Sequence, residues 1–105
     1  MSMSEPVSRL TVDSSPDAVV VTGELDAHTC SDLVAALEPL PGTGDVRLDV
    51  AGVEFMDSSG LRALISAHQS AESDDRRLVI VGPGKAVTRI IEISGLQDHL
   101  HIVEA

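Results

Sequence analysis

The segment from Val46 to Ile65, VRLDVAGVEFMDSSGLRALI, restricts the possible folds more than any other stretch of this chain. Val46, Leu48 and Val50 alternate with Arg47 and Asp49, which is the period of a strand with one buried face. A turn then ends in Phe55-Met56-Asp57-Ser58-Ser59-Gly60, and Leu61, Leu64 and Ile65 follow at helical spacing. A strand feeding directly into an amphipathic helix is the repeating unit of a parallel sheet. The charged alternate face of Val46–Val50 further implies that helices cover one side of that sheet and that water reaches the other.

The remaining chain supplies the other units. Val7–Val12 reads as an edge strand, Ser14-Ser15-Pro16-Asp17 as a turn, and Ala18–Thr22 as a strand that ends at Gly23. Gly23-Glu24-Leu25-Asp26 is then a short loop. From Ala27 to Leu40, Cys30, Leu33, Val34 and Leu37 form one helical face, with Asp26 as N-cap and Pro39 and Pro41 as the stop. The helix after Ser58 runs to about Ala71, and the loop Glu72–Arg77 leads to a strand at Leu78–Val81. Gly82-Pro83-Gly84 turns into a helix over Lys85–Ile93, with Val87, Ile90 and Ile91 inward and Gly95 as a left-handed C′ residue; His99–Val103 closes as a strand. The order predicts an α/β fold: a mixed, mostly parallel sheet of about five strands, with helices mainly on one face and right-handed crossovers after an antiparallel N-terminal pair. Residues 1–6 are expected to be flexible and residues 7–105 to form one domain, since 105 residues leave room for a single core.

Composition removes several functions. A formal net charge of -10 repels a phosphate backbone, and one Phe with no Trp or Tyr leaves aromatic stacking on bases essentially unavailable, so nucleic acid is not an expected partner. The single Cys30 cannot make an internal disulfide, and the N-terminus lacks a basic region followed by an apolar one, which together point to the cytoplasm. No apolar run approaches the ~20 residues of a membrane span. His28, His68, His99 and His101 invite a metal reading, and strand spacing would let His99 and His101 point the same way, but no neighbouring ligands complete a recognisable set. Ser58 lies in a strand-serine-helix layout, yet Met56 stands where a nucleophile elbow needs glycine; Gly82-Pro83-Gly84-Lys85 lacks the spacing of a phosphate loop. An enzyme is therefore not expected.

What is present is a pair of hydroxyls at a helix entrance. Asp57 or a serine there is first of all a cap for unpaired N–H groups. A phosphate placed on such a hydroxyl would turn a neutral contact surface strongly anionic. Phe55-Met56-Asp57-Ser58-Ser59-Gly60-Leu61, with Gly23-Glu24-Leu25-Asp26 before the first helix and Ile93-Ser94-Gly95-Leu96 after the third, resembles the STAS-domain anti-sigma factor antagonists of bacteria. The likeness covers roughly Val7 to Val103, and the three motifs occur in the family's order. It implies a single STAS-like layer, and a protein whose unphosphorylated form binds an anti-sigma factor serine kinase and so frees a sigma factor. It also implies phosphorylation by that kinase at the serine after the Asp, here Ser58, and reversal by a PP2C-type phosphatase. ATP and magnesium belong to those partners, so no cofactor is implied for this chain. The partner surface would comprise Glu24, Asp26, Asp57, Ser58, Ser59 and Gly60. The alternative within the family is an unmodified interaction subunit of a signalling scaffold or lipid-transport complex, in which Ser58 merely opens a helix.

Overall fold

The strand that begins at Val46 is much longer than its alternation suggests. In the computed structural model, which describes residues 10–15, 18–37 and 44–104, β3 spans Val46–Met56, and its second half is paired with a preceding strand that also continues past its apparent end. The described residues form β1 (Leu10–Ser15), β2 (Ala18–Leu25), α1 (Cys30–Leu37), β3, α2 (Ser58–Ser73), β4 (Leu78–Val81), α3 (Lys85–Ser94) and β5 (His101–Val103). The five strands lie side by side in chain order, β1 antiparallel to β2 and every later pair parallel. Each parallel step is a crossover through one helix. Right-handed crossovers that always advance in the same direction across a sheet deposit their helices on the same face.

The burial pattern agrees. Val19, Val21 and Leu25 of β2, Val46, Leu48 and Val50 of β3, and Leu78 and Ile80 of β4 share one cluster with Leu33 of α1, Leu61 and Leu64 of α2, and Val87 and Ile91 of α3. Arg47 is exposed and Asp49 half-buried, so the alternating charges of β3 are turned from the helices as expected. Beyond Val50 the alternation fails, and the reason is in the ladder. Val20 pairs with Asp49 but Thr22 with Gly52, and Gly23 pairs with Val53 but Glu24 with Phe55. β3 thus carries two extra residues relative to β2, each inverting the phase of the pleat. Gly52 occupies the first irregularity, packed so closely on Thr22 that a Cβ would collide with the threonine methyl.

Several boundaries differ from the expectations. β1 reaches Ser15 and pairs it with Ala18, so Ser14 and Ser15 are strand rather than turn; the expected residues 7–9 of that strand and the turn residues 16 and 17 lie outside the described residues. β2 runs through Gly23, at φ 109°, to Leu25. α1 begins at Cys30, not Ala27, because Asp26 and Thr29 first lock a tight turn, and its expected proline stop lies outside the described residues. α2 is two residues longer than expected, and β5 starts at His101 because His99 is held in a turn by its N–H donating to Leu96 O at 2.9 Å. α3 runs one residue further than expected, to Ser94, and Gly95 follows in the left-handed region at φ 75° as read. Among the described residues no helix is long and apolar enough to cross a membrane.

Candidate functional site

The long pairing of β2 with β3 brings their C-terminal ends to one place. Leu25 stands opposite Met56 and Glu24 opposite Phe55, and the Asp57 N–H donates to Leu25 O at 3.2 Å. The residues that follow each strand, Asp26 and Asp57, are therefore fixed beside one another at the carboxyl edge of the sheet, the edge at which α/β folds collect their binding sites.

Asp57 adopts an extended backbone (φ -109°, ψ -171°) and caps α2: its Oδ1 accepts from the N–H of Ser59 at 2.9 Å and of Gly60 at 3.1 Å. Two of the donors that a helix start leaves unpaired are thereby satisfied, and the Leu61 N–H reaches Asp57 O at 3.0 Å to begin the regular ladder. The carboxylate also sits at the positive end of the helix dipole. Ser58 is the first helical residue. It is exposed, and its hydroxyl makes no hydrogen bond among the described residues; Ser59 is half-buried. Gly60 is buried because α2 enters directly over β2. A Cβ there would lie 2.7 Å from Leu25 O, 2.8 Å from Met56 Cγ and 3.0 Å from Leu25 Cγ, so only glycine admits this approach.

Asp26 plays a comparable structural part at the neighbouring corner. It is 9% exposed, its Oδ1 accepts from the N–H of His28 (2.9 Å) and of Thr29 (3.2 Å), and its own N–H donates to Thr29 Oγ1 at 3.0 Å. The Thr29 hydroxyl proton goes to Glu24 O at 2.8 Å in preference to Asp26 Oδ1 at 3.3 Å, which completes a reciprocal cap. Asp26 is thus a cornerstone with little surface to offer, whereas Glu24 and Asp57 are half-buried and Ser58 is exposed on the same corner.

Two residues at this corner escape a reading of local pattern. Thr29 is buried and holds both the Asp26 turn and the end of β2, but a threonine three residues after an aspartate inside a helical run attracts no notice. Phe55, the chain's one aromatic residue, is 47% exposed beside Glu24 on the β3 edge, because the second bulge turns it out of the core. The histidines also need correcting. His99 and His101 do not act as a pair: His99 is exposed in a turn, while His101 lies with His68 and Glu72 of α2, three potential metal ligands that the sequence separates by up to 33 positions.

Comparison with known proteins bears on the family and the fold. The family model described as "Mlab, STAS domain" matches residues 8–104. The anti-sigma-B factor antagonist of Staphylococcus epidermidis is 36% identical over 88 residues, which are 82% of either chain, and that of Staphylococcus aureus (strain NCTC 8325 / PS 47) is 35% identical over the same lengths. An anti-sigma factor antagonist from Mycobacterium paratuberculosis superposes with a TM-score of 0.68 at 25% identity, over 89% of this chain and 82% of the other. The anti-sigma factor antagonist SpoIIAA in its unphosphorylated form gives a TM-score of 0.69 at 23% identity, over 91% and 87%.

Proposed function

This chain belongs to the STAS-domain anti-sigma factor antagonists, and from that premise we propose that its unphosphorylated form binds an anti-sigma factor serine kinase, releases a sigma factor, and is switched off by phosphorylation of Ser58. The single observation that carries the reading is the state of that side chain. Ser58 projects into solvent at the first position of α2 with no internal hydrogen bond among the described residues, while its neighbour Asp57 already caps the helix. A kinase therefore removes nothing from the fold when it takes the hydroxyl. Ser59, one residue on, is half-buried and the poorer substrate.

The energetics favour loss of binding over loss of folding. Phosphate adds about -1.5 to -2 charges at pH 7, next to Asp57 on a chain of net charge -10. The helix N-terminus returns ~0.3–1 kcal/mol to an anion, which keeps the domain folded. In an interface shaped for a hydroxyl, an unpaired charge withdrawn from water costs several kcal/mol, and about 2.8 kcal/mol already weakens binding a hundredfold. Glu24, Phe55, Asp57 and Ser58 constitute the docking surface: an exposed aromatic anchor with acidic neighbours, suited to a basic and apolar patch on the kinase. A PP2C-type phosphatase restores the hydroxyl, and the chain itself does no chemistry.

The test is release. Immobilised kinase should retain wild-type protein until ATP and magnesium are added and then let it go, should retain Ser58→Ala protein indefinitely, and should hold Ser58→Asp protein weakly from the start. Release of Ser58→Ala protein by ATP at the wild-type rate would refute the switch.

A further inference from the structure

At the opposite end of α2 from Ser58, the helix carries a second group of functional side chains. His68 and Glu72 are four residues apart and so share a face. His101, the first residue of β5, brings its ring to within 5.4 Å of the His68 ring, centroid to centroid, at an interplanar angle of 45°. Nε2 of His68 lies 3.5 Å from one oxygen of Glu72, and Nε2 of His101 lies 3.7 Å from the other. One ligand atom from each of the three residues falls within 4.8 Å of the others.

These separations are too long for hydrogen bonds, which place N and O 2.7–3.2 Å apart. They come near a different arrangement, which the three side chains would reach by closing from within 4.8 Å of one another onto a single ion. Two atoms bound to one tetrahedral ion at about 2.0–2.2 Å stand roughly 3.3–3.5 Å from each other. The His68 ring is turned so that Nε2, not Nδ1, faces the cluster. Its side chain is only 12% exposed, and its Nδ1 is buried with no hydrogen-bond partner among the described residues. A buried imidazole is ordinarily held by hydrogen bonds at its nitrogens; this one is held by none and directs Nε2 at a carboxylate it does not quite reach. His101 and Glu72, 39% and 55% exposed, leave an open approach from solvent.

We propose that His68, Glu72 and His101 form a binding site for a divalent zinc ion, with water in the remaining position. Two imidazoles and a carboxylate are a ligand set that zinc accepts with one position open. Ligands drawn from the last turns of α2 and from a three-residue edge strand would clamp β5 to the helix. The site lies about 21 Å along α2 from Ser58, taken from the 14 residues to Glu72 at ~1.5 Å each, so it is distinct from the phosphorylation corner.

Isothermal titration of the untagged full chain with zinc chloride tests this, with thermal unfolding followed in parallel. Wild-type protein should take up one equivalent, and its Tm should rise by roughly 10 °C at a hundredfold excess of zinc over Kd. His101→Ala and Glu72→Gln alter exposed side chains and should fold normally, yet each should weaken binding at least ~10-fold, the lower end of what losing even an outer-sphere partner costs. His28→Ala and His99→Ala, which change the two histidines outside the cluster, should titrate as wild type. Absence of a binding isotherm in the wild type, or equal affinity in His101→Ala and Glu72→Gln, would overturn the assignment. So would loss of affinity in His28→Ala or His99→Ala to the same degree, since it would mark the uptake as general attraction to an acidic surface.

Discussion

Replacing Asp57 with alanine should destabilise the domain by about 1 kcal/mol, within the ~0.5–2 kcal/mol known for N-cap losses. The structure fixes the terms of that estimate. One carboxylate oxygen serves two backbone donors, on Ser59 at 2.9 Å and on Gly60 at 3.1 Å. The site is half-buried, so water replaces the lost acceptor only in part. Asparagine at the same position keeps an acceptor oxygen and gives up only the charge at the helix end, a loss of ~0.3–1 kcal/mol. Urea denaturation of the three proteins should therefore rank them wild type, Asn, Ala, with unchanged slopes, and the alanine midpoint should fall by roughly 0.5 M for a slope near 2 kcal/mol/M. In a thermal scan, each kcal/mol corresponds to about 4–8 °C in a domain near this size. An alanine variant as stable as wild type, or an asparagine variant as unstable as alanine, would refute the capping role and with it the account of why Ser58 is left free.

The same corner yields further expectations. Gly60→Ala should lose about 1 kcal/mol on denaturation even though alanine favours helix by ~1 kcal/mol, because a Cβ 2.7 Å from Leu25 O forces a repacking that costs ~1–3 kcal/mol; a net gain in stability would contradict the close approach of α2 to β2. Phe55→Ala should leave stability within about 0.5 kcal/mol of wild type, since the ring is 47% exposed, while weakening kinase binding by ~2 kcal/mol, about 30-fold. Glu24→Lys should slow association with the kinase and flatten its dependence on salt, both measurable by surface plasmon resonance; unchanged kinetics would remove Glu24 from the surface.

The parts of this molecule that were legible in its sequence are those governed by an unbroken period or by one special residue. The alternation of Val46, Leu48 and Val50 correctly placed the helix-covered face, Gly95 marked the end of α3, and the position before an amphipathic run called for a cap by Asp57 or a serine, of which the structure uses Asp57. The upper half of β3 was illegible because two bulges invert its phase, so that Val53 and Met56 point inward at a spacing of three, which resembles neither strand nor turn. Thr29 was missed because its work is done by a hydroxyl between two backbone groups rather than by a pattern. The cluster of His68, Glu72 and His101 was missed for a different reason: only the crossover through α3 brings β5 beneath the end of α2, and spacing rules for metal ligands see near neighbours alone. Conversely, the family likeness rested on short motifs at Gly23–Asp26, Phe55–Leu61 and Ile93–Leu96, and two of these meet at one corner because Leu25 pairs with Met56.

We propose Ser58 as the modified residue of a binding switch. Its most direct test is to incubate wild-type, Ser58→Ala and Ser59→Ala proteins with the kinase partner, ATP and magnesium, and to locate the added phosphate by mass spectrometry. One phosphate on Ser58 in the wild type and in Ser59→Ala, with none in Ser58→Ala, is the predicted result; phosphate on Ser59, or on none of the three proteins, would contradict it.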